Sequence, residues 1–426
     1  MHIGLYTLTS PLHDRQALDT ASAHFIAGIR NELAALSSRD ADSSPAKPCE
    51  LTLRGEEFTD YGTEDLSVIY VRTGGTEGLF KELFAKVSRT DGGRIRPVRL
   101  LTSGKSNSLA ASMEILSFLR RQGCPGEIIH GDNRYIAERL SLLARVETAK
   151  KRLNGARLGV IGRPSDWLIS SQADAEAVER KLGTALVDIP IGELIDEIAK
   201  NRYPTTGTVQ TILADADRLP EKVRPYWEGA LRIYGGLKRL VERHALDGLT
   251  LRCFDLLDTV GNTGCLALAM LNAEGIPSGC EGDVPALLTM AVAQALTGVA
   301  GFQSNPSRID PRTGEMLFAH CTVPLNMLRR HTYDTHFESG IGVAIHGELP
   351  EGAVTIFKLA GDLSRSFVAE AALQANQYQQ DLCRTQILLR TEGAADYFLT
   401  DPIGNHHIVL PGHRKRLIEA FLADLG

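Results

Sequence analysis

The first third of the chain alternates short apolar runs with longer amphipathic stretches. "HIGLYTL" is followed by a helical pattern around "ASAHFIAGIRNELAAL", then by "DLSVIYVRTGGTEGLFKELFAKV" and "IRPVRLLTSGKSNSLAASMEILSFLRRQG". An apolar run of strand length leading into a helical period is the pattern of a βα unit. In two of these units the strand runs into a polar or glycine-rich turn, Arg72 to Gly78 and Thr102 to Ser108. Such turns lie at the carboxyl ends of strands, where open α/β sheets bind ligands.

The long amphipathic stretch "NRYIAERLSLLARVETAKKRLNGARLGVIG" ends a helix at Asn154-Gly155 and starts a new strand. The pattern therefore predicts a first α/β domain over residues 1–153 and a second, central α/β domain over residues 154–328. Within the first, Ser37 to Glu50, rich in Ser, Asp and Pro, reads as an exposed connection. The second contains the helical, hairpin-like region "RPYWEGALRIYGGLKRLVERHALDG" and the strand "LTLRCFDLLD". From about Tyr333 the pattern changes to short alternating strands: "THFESGIGVAIHGEL", "AVTIFKLAG", "RTQILLRTEG" and "HHIVLPG". A C-terminal β-rich, barrel-like domain is expected over residues 329–426. The fold class is thus two Rossmann-like α/β domains followed by a β-rich one.

Composition narrows the function. With 46 Lys+Arg against 52 Asp+Glu and a net charge of -6 over 426 residues, there is no basic excess to neutralise phosphates, which argues against nucleic acid as a partner. The seven cysteines are scattered and never form a CxxC pair, so a disulfide framework or zinc ribbon is not indicated and a cytoplasmic setting is expected. No basic leader and no apolar run of about 18 residues occurs, so the protein is expected neither to be secreted nor to cross a membrane. A small-molecule ligand is the expected partner.

The turn containing Glu77 lacks both the GxxxxGK[ST] and GxGxxG patterns, and the serines of "TSGKSNS" lack a GxSxG context. Neither a nucleotide nor a serine nucleophile is assigned to these turns. The second half is richer. Asp255 and Asp258 stand in "RCFDLLD", Glu281 and Asp283 in "CEGD", His320 in "FAHCTVP", and His406 and His407 in "GNHHIVLPGH". Carboxylates with imidazoles suit Mn²⁺, Mg²⁺ or a related divalent ion, while Cys280 and Cys321 keep zinc open. Each cluster also has a structural reading. Asp255 could cap a helix or pair with Arg252, the acids of "CEGD" could cap the helix that follows, and His320 could be a hydrogen-bonded core histidine. His406 and His407 alternate along a strand, so only one can face a given pocket.

Taken as an ordered set, "VRTGGTEGLF", "LTSGKSNSLAASMEILSFLRRQG", "RLGVIGRPSDWLISS", "RCFDLLD", "GIPSGCEGDVPALLTMAVAQALTG", "LFAHCTVP" and "GNHHIVLPG" give a chain that resembles the L-fucose isomerase and L-arabinose isomerase superfamily, most closely its shorter fucose isomerase-like members. The resemblance implies a divalent-metal aldose–ketose isomerase, with Mn²⁺ usual, that moves a proton between C1 and C2 of a free or modified sugar through an enediol. Carried over by position, Glu281, Asp283, His320 and His406 are the expected metal ligands. Glu281, Asp283 and Asp255 are the expected catalytic carboxylates, and Asn305, His407 and Glu77 the expected substrate contacts. The resemblance also implies a homo-oligomer, trimer or hexamer, in which the loops at Glu77 and "GKSNS" serve a neighbouring subunit's pocket.

The chain departs from both branches of that superfamily. It reads "GFQSNPSRID", with Ser304 or Asn305, where one places a second glutamate, and Leu268 where the other does. Asp255, Asp283 or Asp310 is then the expected second proton-transfer group. Two further readings of the same fold are a non-catalytic sugar-binding protein and a metal-assisted dehydration of a sugar acid.

Overall fold

The computed structural model describes residues 1–39, 48–89, 95–205 and 207–425. Most of the expected Ser37–Glu50 connection lies outside them. Contacts within the chain cluster into two compact units, Met1–Lys151 with Ala420–Gly426, and Arg152–Glu419.

The first unit is built on a five-stranded parallel sheet of β1 (His2–Leu8), β2 (Glu50–Gly55), β3 (Leu66–Val71), β4 (Val98–Thr102) and β5 (Gly126–Ile129), in the order β2-β1-β3-β4-β5. Strands of such a sheet are covered on both faces, which is why they read as nearly continuous apolar runs. One face packs Leu5, Val68 and Leu101 against Ile29, Leu33 and Leu140. The other packs Tyr6, Ile69 and Leu100 against Phe80, Ile115 and Leu119. The turns after β3 and β4 meet, with the Gly74 amide donating to the Ser106 carbonyl at 2.7 Å. Glu77 opens the helix Glu77–Val87 in this unit.

The second unit opens with a four-stranded parallel sheet of β6 (Arg157–Ile161), β7 (Ala185–Ile189), β8 (Gly248–Leu251) and β9 (Ser278–Cys280), ordered β7-β6-β8-β9. Arg224–His244, which reads as hairpin-like in the sequence, is one unbroken helix. Its Gly235-Gly236 pair is a point of close approach and not a turn, since a Cβ on Gly235 would lie 2.2 Å from the Arg202 carbonyl oxygen.

Eight strands complete the unit: β10 (Phe302–Asp310), β11 (Glu315–His320), β12 (Arg330–Asp334), β13 (Ala344–Glu348), β14 (Gly352–Leu359), β15 (Ser366–Gln377), β16 (Thr385–Arg390) and β17 (His407–Pro411). Six of them close into an antiparallel barrel in the order β10-β11-β16-β15-β14-β17, and β12 pairs with β13 separately. The barrel begins at Phe302, ahead of the change of pattern near Tyr333, because β10 and β11 form a hairpin that pairs with the late strands β17 and β16. Sheet and barrel share one apolar core, in which Leu251, Leu268 and Met270 meet Phe302, Phe318 and Ile356. No described helix is long and apolar enough to cross a membrane.

Candidate active site

At the carboxyl end of β9 the chain turns sharply before the helix Val284–Thr297. Glu281 and Gly282 both take positive φ, 64° and 70°. For a glutamate this left-handed conformation costs of order 1 kcal/mol and persists only where the surroundings hold it. Here the Glu281 carbonyl accepts from the Ser165 amide at 2.9 Å, and the Gly282 amide donates to the Leu251 carbonyl at 3.0 Å. Gln303 of β10 holds the preceding residue through the Cys280 amide at 2.8 Å. Position 282 has to be glycine, because a Cβ there would meet the Arg163 carbonyl oxygen at 2.5 Å.

This turn aims Glu281 at two imidazoles from the barrel. Its Oε1 lies 3.3 Å from His406 Nε2 and 3.8 Å from His320 Nε2. Its Oε2 accepts from the Trp167 indole N–H at 2.6 Å. Each imidazole is oriented from behind, His320 by Thr322 Oγ1 at 3.0 Å from its Nδ1, and His406 by an Nδ1–H donated to Asp283 Oδ2 at 2.8 Å. One ligand atom from each of Glu281, His320 and His406 falls within a sphere of mutual distances of 4.8 Å.

Burial alone would raise the Glu281 carboxyl, but the facing imidazoles outweigh it and hold the group well below the usual carboxylate range. Burial would likewise lower His406, yet Asp283 and Glu281 bring it up to about 9. Asp283, fully buried, is held below its ordinary value against the effect of burial by Lys358 and His406.

The donor set fits a divalent ion. His406 Nε2 is buried without a hydrogen-bond partner, although a buried polar atom is normally satisfied. A carboxylate oxygen with two ring nitrogens is a set that first-row divalent ions accept, and an outer-shell carboxylate on the far nitrogen of a ligating histidine is the usual companion. Asp283 occupies that outer position and also caps the helix, its Oδ1 accepting from the Ala286 amide at 2.8 Å.

A cavity of about 280 Å³ opens on Glu281 and His320, walled by Trp167, Phe254, His336, Glu338, Asn305 and four cysteines, 265, 280, 321 and 383. The rings form one continuous wall, with Trp167 edge-on to Phe254 at 4.8 Å and Phe254 edge-on to His336 at 5.6 Å. Glu281 and Glu338 both act on the Cys383 thiol, which is raised first by its hydrogen bond to Cys321, then by burial and by these carboxylates. The Cys280 sulfur faces Cys253 at 3.0 Å.

Of the other expected site residues, Asn305 is on the cavity wall, and Asp255, Asp310 and His407 are not. Asp255 pairs with Arg252 at 2.8 Å and is absent from the cavity wall. Asp310 caps the far end of the β10–β11 hairpin, five residues along from Asn305, about 17 Å of strand. Asn305 lines the cavity and accepts from Asn405 Nδ2 at 3.0 Å. His407 points away from His406. Its Nδ1–H donates to the Asn405 carbonyl at 3.1 Å and its Nε2 accepts from the Tyr397 hydroxyl at 2.9 Å, beside Phe367 and Phe398. Leu268 is fully buried in the core. Sequence reasoning gave Trp167 and Glu338 no role, although Trp167 lies within the segment "RLGVIGRPSDWLISS", just after β6 and at the same sheet edge as Glu281.

No family model matches the chain. It is similar to sulfoquinovose isomerases: that of Priestia aryabhattai is 26% identical over 281 residues, covering 63% of this chain and 60% of the relative. The same enzyme from Clostridium sp. (strain MSTE9) is 25% identical over 285 residues, and that from Alkalicoccus urumqiensis 22% over 280, with the same coverage. The chain thus spans about 60% of the length of the curated relatives it matches.

Proposed function

We propose that this chain is a divalent-metal aldose–ketose isomerase acting on a free or modified sugar, with Glu281, His320 and His406 holding the ion and Mn²⁺ the metal to test first. The observation that carries the reading is the convergence of one ligand atom each from Glu281, His320 and His406 within 4.8 Å of one another, with Asp283 supporting His406 from behind. The relatives' name supplies the reaction class, and sulfoquinovose is accordingly the first substrate to try.

When bound, the ion polarises the neighbouring sugar oxygens and offsets the negative charge that develops on them. The protein's own groups move the proton. Glu281 is already an anion, with Oε2 pinned by Trp167, so it can take the C2 proton while the C2–H electrons form the C1=C2 bond and O1 gains a proton. Return of a proton to C1 and loss of the O2 proton complete the ketose. Neither branch's second glutamate is present, and Glu338, the other carboxylate on the cavity wall, is the group we assign to the proton exchange at oxygen. The aromatic wall offers an apolar face to the sugar's C–H edge.

Incubation of the full chain with Mn²⁺ and a panel of aldoses, sulfoquinovose included, in D₂O tests this reading by NMR. Ketose labelled with deuterium at C1, and deuterium at C2 of the recovered aldose, is the expected result. Metal-dependent sugar binding without exchange would replace the isomerase by a sugar-binding protein, and loss of water from the sugar would replace it by a dehydratase.

A further inference from the structure

Lys358 is a buried charge that this mechanism leaves unused. It lies in the apolar strand β14, is 1% exposed, and its Nζ has no hydrogen-bond partner. A buried ammonium costs several kcal/mol unless an opposite charge faces it. The charge that faces it is Asp283, with Oδ2 at 3.8 Å, the same oxygen that receives the His406 Nδ1–H.

The surrounding contacts hold this row in place. The Leu359 amide, next to Lys358, donates to Thr289 Oγ1 of the helix Val284–Thr297 at 3.0 Å, and Thr289 in turn donates to the Pro285 carbonyl at 2.7 Å. That ties β14 to the helix end capped by Asp283. β14 also pairs with β17, which begins next to His406, through Phe357 and Ile408. Strand, helix end and histidine therefore form one unit, with the Asp283 carboxylate at its centre.

We infer that Lys358 is a positioning residue for the metal site. Its ammonium fixes the Asp283 carboxylate, and through it the orientation of the His406 ring that turns Nε2 toward Glu281. Lys358 is absent from the cavity wall, so it acts through Asp283 and not on the substrate. The inference rests on Glu281, His320 and His406 being the metal ligands.

Mn²⁺ alone is titrated into the full-length protein, with free Mn²⁺ followed by electron paramagnetic resonance and folding by thermal melting. Lys358→Met is expected to bind Mn²⁺ about tenfold more weakly than the wild type, the usual effect of losing an outer-shell partner. A lysine acting only as a nearby positive charge predicts the opposite, because its removal relieves repulsion of the ion. Equal or tighter binding by Lys358→Met therefore overturns the inference. Since removing one charge of a buried pair can unfold a protein, Asp283→Asn is compared with the Asp283→Asn, Lys358→Met double variant, which removes both. Equal Mn²⁺ affinity of the two supports action through Asp283, and a further tenfold loss in the double variant overturns it. Failure of the wild type to bind Mn²⁺ would instead sink the metal-site reading itself.

Discussion

Asp283 and His406, 123 residues apart in the chain, meet with Oδ2 2.8 Å from Nδ1, both fully buried. The same carboxylate closes the first turn of the helix Val284–Thr297 by accepting from Ala286. One residue thus does local and long-range work: its capping role is legible in the sequence, and its hold on His406 is a product of the fold. The two roles separate by substitution. Asparagine caps about as well as aspartate but carries no charge to orient the imidazole. Asp283→Asn therefore keeps the cap but leaves the buried Lys358 ammonium without its facing charge, so it should melt lower than the wild type and lose Mn²⁺ affinity by about 10- to 100-fold, as read by metal titration.

Glu281→Gln should remain folded, since the amide still fills the turn, and should lose turnover by roughly 10²- to 10⁴-fold, the usual weight of a proton-transfer group. Glu338→Gln should also lower turnover while leaving Mn²⁺ affinity near that of the wild type, because its carboxylate is not among the three ligand groups. Unchanged kcat in Glu338→Gln would remove it from the mechanism.

Trp167 donates its indole N–H to Glu281 on the cavity wall, whereas Trp227, the other tryptophan, is buried in the core. Binding of Mn²⁺ should perturb the intrinsic fluorescence, and Trp167→Phe should abolish that change. Chelation by EDTA should reverse it and lower the melting temperature, since a ligand at about 100 times its Kd contributes about 2.7 kcal/mol to the folded state. A fluorescence response that survives in Trp167→Phe would place the ion elsewhere.

Glu197, 1% exposed, is held down to about 2 by hydrogen bonds from Lys200 and Arg239, each 2.6 Å long, together with Arg243. A depressed carboxylate adds stability that is fully present above its ordinary value of 4.5 and is lost as pH falls from there toward 2. Glu197→Gln should therefore be less stable at pH 7, by of order 1–3 kcal/mol after allowance for the partly exposed cations. Its deficit in chemical denaturation should shrink below about pH 4.5 and nearly vanish near pH 2. A deficit independent of pH would mean the network acts by packing alone.

Tyr397 gives its hydroxyl proton to His407 and accepts from the Ile403 amide at 2.9 Å. Tyr397→Phe leaves both partners unsatisfied and should cost about 1–3 kcal/mol in urea unfolding while Mn²⁺ affinity stays unchanged. A loss of Mn²⁺ affinity would show that the lock on His407 also steadies His406.

Much of this molecule is legible in its sequence because the information is local. Alternating apolar runs and helical periods mark the βα units, and "CEGD" announces a strand end, a sharp turn and a capped helix, since each depends on residues within a few positions of one another. The histidines stand out as chemistry, and a strand's period of two already says that His406 and His407 face opposite ways. Which of the two faces Glu281 depends on the register of β17 against β10 and β14, and that register is set by closure of a barrel some of whose paired residues lie more than a hundred positions apart, as Phe302 and Val409 do. Asp310 stays at the turn of its own hairpin and Asp255 pairs with Arg252 three residues before it, both local contacts, but the same closure brings Lys358 from an apolar strand to Asp283. A carboxylate's surroundings set its role, and here those surroundings come from segments that no local pattern links. The sequence by itself therefore determined the elements and the candidate chemistry, and the tertiary structure alone decided which groups meet.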